Sequence, residues 1–287
     1  MLILQAILLG IIQGLTEFIP ISSSAHLIIV PWLCGWDDAI LNSLSFDLAL
    51  HLGTLVALLL FFAQDWIRLI RAGIASIIER KIGDDVDRKL AWLIVIATIP
   101  GAIAGVLAES KIEALFHSPN APHQANAMIA MAVIIAILGT LLFIAERIAR
   151  HERRINQITL KDAIIVGIAQ AFAVFPGVSR SGSTITAGLF VGLKRETAAR
   201  FSFLLSAPLI AGAGAKSIYD VIKLATGGAF TQTELLMFPI GFIVAAVTGY
   251  LCIRFLLRFL RKNSADIFVY YRWALAILIV IVALSRG

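Results

Sequence analysis

The sequence predicts an all-α integral membrane protein: six transmembrane helices plus two re-entrant helix hairpins, arranged as an inverted-topology repeat. Three observations carry this. The 287 residues are 60% hydrophobic and only 15% charged, against about 25% charged in soluble domains. Apolar runs recur along the whole length, and the mean hydropathy is +0.93. Residues 6–24 align with 163–181 at a constant offset of 157, with identities at Ala6/Ala163, Ile7/Ile164, Gly10/Gly167, Ile11/Ile168, Gln13/Gln170, Phe18/Phe175, Ser22/Ser179 and Ser24/Ser181.

The first segment, 1–33, is apolar but broken by Pro20 and Ser22-Ser23-Ser24. The segment 160–193 is broken in the same way by Pro176-Gly177 and Ser179-Arg180-Ser181-Gly182. Each arm has on the order of 12 residues, short of the ~20 a bilayer crossing needs. Non-helical backbone at that depth is tolerated only where it is buried in protein or lines a cavity. Both segments are therefore expected to turn back. Full spans are expected near 45–64, 90–108, 127–146, 198–216, 236–256 and 267–285. The N-terminal stretch has no basic region or small-residue cleavage site and does not read as a removed signal peptide. Small residues at Gly101/Gly105 and Gly212/Gly214 are expected to let helices pack closely.

Loop charge tests the layout. With both broken segments turning back, the loops at 65–89, 147–161, 194–200 and 254–262 share one side and hold 18 of the 24 Lys and Arg. The other side holds only Lys111, Lys216, Lys223 and Arg286. The basic side is cytoplasmic by the positive-inside rule, which puts both termini in the periplasm. The net charge of +6 thus belongs to membrane loops and does not point to nucleic acid. Arg254, Arg258 and Arg261 read as a helix face that touches lipid headgroups. Three spans separate the two copies, so they enter from opposite faces. This gives one membrane domain over 1–287, with repeat 1 at about 1–147 and repeat 2 at about 158–287. Cys34 and Cys252 fall in unrelated segments and read as free thiols.

Each apex should open a half-helix. Ser22 and Ser24 in the first copy, and Ser179 and Ser181 in the second, are suitable cap residues. Facing helix N-termini offer free N–H groups to an anion, and Arg180 adds a planar fork suited to phosphate. Glu17 lies four residues after Gln13, on one helical face. A carboxylate there can hold a hard cation such as Mg2+ or Ca2+, or act as a general acid or base. Ser23 and His26 have the spacing of a nucleophile and its base, although Ser23 could equally bind phosphate without reacting. An ion pair of Glu17 with Arg180 for stability alone is poorly rewarded in a low-dielectric interior, which favours a working site. The i, i+4 pair Asp47/His51 reads as a structural, interfacial pair, with support of the site from behind as the other reading, and Arg272, between Tyr271 and Trp273, reads as an interfacial arginine.

The run Gln13-Gly14-Leu15-Thr16-Glu17-Phe18-Ile19-Pro20-Ile21-Ser22-Ser23-Ser24-Ala25-His26 resembles the first signature of the undecaprenyl-pyrophosphate phosphatase, or bacitracin-resistance, family. Pro176-Gly177-Val178-Ser179-Arg180-Ser181-Gly182-Ser183-Thr184 resembles the second. The resemblance covers essentially the whole chain. It implies an enzyme of the bacterial inner membrane that hydrolyses undecaprenyl pyrophosphate to undecaprenyl phosphate and inorganic phosphate with a divalent cation. It implies Glu17 as the essential carboxylate, Ser23 as nucleophile, His26 as its partner and Arg180 as phosphate clamp. It also places Ser179 and Thr184 at polar positions of the site and raises the standing of Arg272. Gln13 stands where many members have Glu, so it can reach a metal only through its carbonyl oxygen. The partners implied are the lipid substrate and membrane lipids, with room for a homodimer. The rival reading is a transporter or flippase for a lipid phosphate, since broken helices in inverted repeats are common in transporters. The sequence has no G-x-x-x-x-G-K-[ST] loop for ATP-driven transport.

Overall fold

The computed structural model describes residues 1–116, 125–226 and 232–286; at 109–116, 213, 215–226 and 232–235 it describes the backbone alone. The described residues are helical throughout, apart from short turns and one isolated bridge between Arg153 and Leu193. The helices are α1 (Leu2–Thr16), α2 (Ser23–Cys34), α3 (Leu44–Phe61), α4 (Ala63–Ile78), α5 (Val86–Phe116), α6 (Ala125–Ile148), α7 (Leu160–Ala171), α8 (Arg180–Phe190), α9 (Arg195–Thr226), α10 (Gln232–Leu260) and α11 (Asp266–Arg286).

Helices α3, α5, α6, α10 and α11 are each long and apolar enough to cross a membrane. Their outward faces carry residues such as Val106, Ile137, Ile243 and Ile277, all more than half exposed. That pattern makes sense only in an apolar solvent. The chain is a multi-pass membrane protein. The sixth expected span, 198–216, falls on α9, part of whose side chains lie outside the described residues, as do those of Lys111, Lys216 and Lys223.

The pairing of helices positions the site. α1 packs chiefly on α10, and α7 chiefly on α5, so each broken segment rests on a long helix from the other half of the chain. Glycine sets both crossings. A Cβ at Gly14 would meet Thr248 Oγ1 at 1.9 Å, and one at Gly167 would meet the Ala97 carbonyl oxygen at 2.6 Å. Backbones therefore touch there, as small residues allow in membrane helices. α6 and α11 pack against each other between the two halves. At one end of the bundle the buried Glu146 accepts Arg195 Nε at 2.8 and 3.0 Å and the Ala265 amide at 3.0 Å, tying α6 and α9 to the residue that precedes α11.

Two expectations are corrected. Gly101 does sit in a contact, 3.0 Å from Gln170 Nε2 measured from a built Cβ, and Gly214 sits against Leu52. Gly105 and Gly212, however, meet nothing within 4 Å of a built Cβ among the described residues. The stretch 65–89, read as a loop, is largely the helix α4. Its Ile67, Ile70, Ile74, Ile77 and Ile78 are exposed along one face, while Leu69 and Ser76 are buried. Trp92 Nε1 donates to Ser76 at 2.8 Å and holds α4 against α5.

Candidate active site

The two apices are built alike. After α1, Pro20 removes a backbone donor and Ile21 N–H closes a tight turn on the Ile19 carbonyl at 2.7 Å. Ser22 then adopts φ +78° and caps α2, its hydroxyl accepting the Ala25 amide at 3.4 Å. At the second apex Ser179 adopts φ +61° and caps α8, accepting the Gly182 amide at 3.0 Å. The next hydroxyls repeat too, with Ser22–Ser24 at 3.4 Å and Ser179–Ser181 at 3.3 Å. A non-glycine residue at such φ costs about 1–3 kcal/mol and persists only where its surroundings over-determine it. Here the strain recurs at both ends of the 157-residue offset.

The apices meet. Ser181 Oγ donates to the Ile19 carbonyl at 3.2 Å. Arg272, fully buried on α11, donates from Nε to the Pro20 carbonyl at 2.6 Å and from Nη2 to the Val178 carbonyl at 3.5 Å. One guanidinium therefore bridges both turns. Among the described residues no carboxylate pairs with this buried cation.

Glu17 is the hub. Arg180 Nη2 donates to Glu17 Oε1, pairing the first apex with the second. Ser23 Oγ donates to Oε2 at 2.6 Å, and Gln13 Nε2 donates to the same oxygen at 3.0 Å. His51 Nε2 lies 3.5 Å from it. Glu17 is 7% exposed, so these groups do most of the work of solvating it. A carboxylate that takes the hydrogen bond of a serine hydroxyl is placed to accept that proton.

Of the residues expected in the site, Gln13, Glu17, Ser23 and Arg180 come together. Ser22 and Ser179 act as caps, and Ser24 and Ser181 bond to them. The expected Ser23–His26 couple is corrected: Ser23 turns to Glu17, whereas His26 Nδ1 bonds its own Ser22 carbonyl at 2.6 Å and Nε2 bonds Tyr271 Oη at 2.7 Å. The physical reason is position. Ser23 opens α2 and points back at the end of α1, while His26 lies a turn further on against α11, with its ring stacked on Tyr271. Thr184 faces inward, donating to the Arg180 carbonyl at 2.7 Å and meeting Ser202 Oγ at 2.6 Å. Sequence reasoning undervalued His51 and passed over Tyr271 and Ser202. The Asp47/His51 spacing was the available signal for the first.

The donor set suits a hard cation in one respect. Gln13 Oε1 is buried, on the side chain whose Nε2 donates to Glu17, and has no hydrogen-bond partner among the described residues. An amide oxygen and a carboxylate, completed by phosphate oxygens of a ligand, are what Mg2+ commonly takes. No group of three His, Cys, Asp or Glu side chains forms a metal cluster among the described residues.

Two broken helices of a helical membrane protein thus gather a buried carboxylate, a serine hydroxyl and two guanidinium groups, and ionisable groups inside such proteins usually serve a site. Comparison narrows the reading. Residues 6–278 match the family model described as bacitracin resistance protein BacA, and the chain belongs to that family. It is similar to proteins named undecaprenyl-diphosphatase from Caldicellulosiruptor bescii, 45% identical over 283 residues, covering 99% of this chain and 98% of that one. The protein of that name from Thermodesulfovibrio yellowstonii is also 45% identical over 283 residues, with the same shares covered. One from Methanobrevibacter smithii is 43% identical over 284 residues, covering 96% of each.

Proposed function

We propose that the chain is an undecaprenyl-diphosphate phosphatase, hydrolysing the pyrophosphate of a membrane-held polyprenyl carrier. The family and full-length relatives of that name support it. The observation that carries the chemistry is the 2.6 Å hydrogen bond from Ser23 to Glu17, beside Arg180. In this reading Ser23 Oγ attacks the terminal phosphorus while its proton passes to Glu17. The P–O–P bond breaks, the lipid monophosphate leaves, and water then releases inorganic phosphate from the serine. Arg180, together with the N-terminal amides of α2 and α8, stabilises charge on the transferring group, where most of the catalysis of phosphoryl transfer lies. Arg272, which pairs with no carboxylate among the described residues, adds to the pull on the anion. A divalent cation, Mg2+ or Ca2+, would be held by Glu17 and the Gln13 carbonyl and would offset phosphate charge.

The proposed topology is six spans with two re-entrant hairpins in an inverted repeat, within one membrane domain over 1–287. The matched caps at Ser22 and Ser179 and the reciprocal rests of α1 on α10 and α7 on α5 support it. The protein would sit in the plasma membrane with both termini on the outer side, as the basic loops argue. A carrier without chemistry would need no hydrogen bond from Ser23 to Glu17, so transport is the weaker reading.

The test is phosphate release from a polyprenyl pyrophosphate by purified protein in detergent. Release above an Arg180→Ala control supports the enzyme, and no release above it refutes the proposal. Ser23→Ala is expected to lose at least about a hundredfold in rate, since it removes the attacking group. Near-normal turnover of that variant would assign the attack to water.

A further inference from the structure

His51 is the neighbour of Glu17 whose hydrogen bonding does not close. Its Nδ1 lies 2.7 Å from the Asp47 carbonyl oxygen. A carbonyl only accepts, so Nδ1 carries the hydrogen, and in a neutral imidazole the other nitrogen then bears a lone pair. That nitrogen, Nε2, faces Glu17 Oε2 at 3.5 Å. Two lone-pair atoms turned on each other require positive charge between them. Oε2 already accepts from Ser23 and Gln13, and Arg180 is on Oε1.

His26 supplies the contrast. It too donates from Nδ1 to a carbonyl of its own helix, but its Nε2 accepts the Tyr271 hydroxyl at 2.7 Å. The lone pair of His26 is used; that of His51 is offered to the site. A second observation is independent of it. Gln13, whose amide nitrogen donates to Glu17, keeps Oε1 buried with no partner among the described residues, and the residue is 0% exposed.

We infer that His51 Nε2 is a ligand of the divalent cation held at Glu17, making the donor set one imidazole nitrogen with carboxylate and amide oxygens. This rests on the cation reading above. It changes the expected metal preference. Ca2+ takes oxygen ligands, whereas an imidazole nitrogen suits metals such as Zn2+ and Fe2+, so the nitrogen donor should weaken the preference for Ca2+; Mn2+, which shares the oxygen ligands, is paramagnetic and reports the nitrogen directly. The imidazole of His51 is partly open, 23% by side chain, which leaves the nitrogen reachable.

Mn2+ is the probe, added to the full-length protein in detergent and read by electron spin-echo envelope modulation. Wild type and His26→Ala should both give the modulation of a directly bound imidazole nitrogen. His51→Ala should lose it, and its Mn2+ affinity by spectroscopic titration should fall at least about tenfold. His51→Gln keeps side-chain bulk and should lose the nitrogen signal while retaining the elution profile of the folded protein. Bound Mn2+ without a nitrogen signal would overturn the inference. So would a signal that survives in His51→Gln, or absence of Mn2+ binding in wild type. Phosphate release measured on the same preparation judges the phosphatase reading separately.

Discussion

Replacing Glu17 by Gln tests whether this carboxylate holds the site together, drives its chemistry, or both. The substitution keeps shape and leaves an amide oxygen for Ser23, but it strips Arg180 of its counterion. Removing one partner of a buried ion pair costs about 3–5 kcal/mol. The Arg180 side chain is 15% exposed against 4% for Glu17, so the lower end, about 3 kcal/mol, is expected. The chemical loss is separate: without a proton acceptor the rate should fall by about 10²–10⁴. A double variant divides the two. Glu17→Gln with Arg180→Met removes both charges, so most of the lost stability should return while activity stays absent. Stability is read by denaturation in detergent and activity by phosphate release. A Glu17→Gln protein as stable as wild type that turns over within threefold of it would refute the reasoning. Equal destabilisation in the single and double variants would refute the ion-pair part alone.

Other expectations follow from the same contacts. Tyr271→Phe removes the hydroxyl on His26 Nε2 and keeps the stacked ring; it should cost about 1 kcal/mol of stability, the net worth of one hydrogen bond, and should match His26→Phe in its effect on turnover if His26 acts only through this bond. Kinetics of both variants on one substrate check this. Gly14→Val would drive a side chain into Thr248 and should cost at least about 1–3 kcal/mol, whereas Gly105→Ala, whose built Cβ meets nothing within 4 Å among the described residues, should be stabilising or neutral; paired denaturation curves decide. Gly182→Ala places a methyl 2.6 Å from Arg272 Nη2. It should lower the rate more than the stability, because small displacements of positioning groups can cost about a hundredfold.

The broken helices, the serine apices and the union of Glu17 with Arg180 were legible in the sequence because each depends on a local break and on a repeat with a fixed offset. Partner choice was not. The three-residue spacing of Ser23 and His26 allows contact on a helix, but Ser23 opens α2, and its direction is set by where α1 ends. Tyr271 reaches His26 across 245 residues of chain, and no periodicity marks that. Gly105 and Gly212 carry the same signature as Gly101 and Gly214, and only the packing distinguishes them. The stripe of isoleucines in α4 was legible at helical spacing, yet the basic residues between them made the stretch read as a loop.

The reciprocal rests of the broken helices bear on how the chain is made. Glu17 and Ser23 leave the ribosome first, but α1 finds its bed only when α10 has been synthesised, and the Pro20 turn receives its donor only with Arg272. Until then strained serine turns and a buried carboxylate must wait in the bilayer without their partners. Contacts this distant in sequence form late and favour chaperoned or translocon-held intermediates. A ribosome stalled before α11 should therefore hold a chain that carries Glu17 and Ser23 yet releases no phosphate, because the Pro20 turn still lacks Arg272.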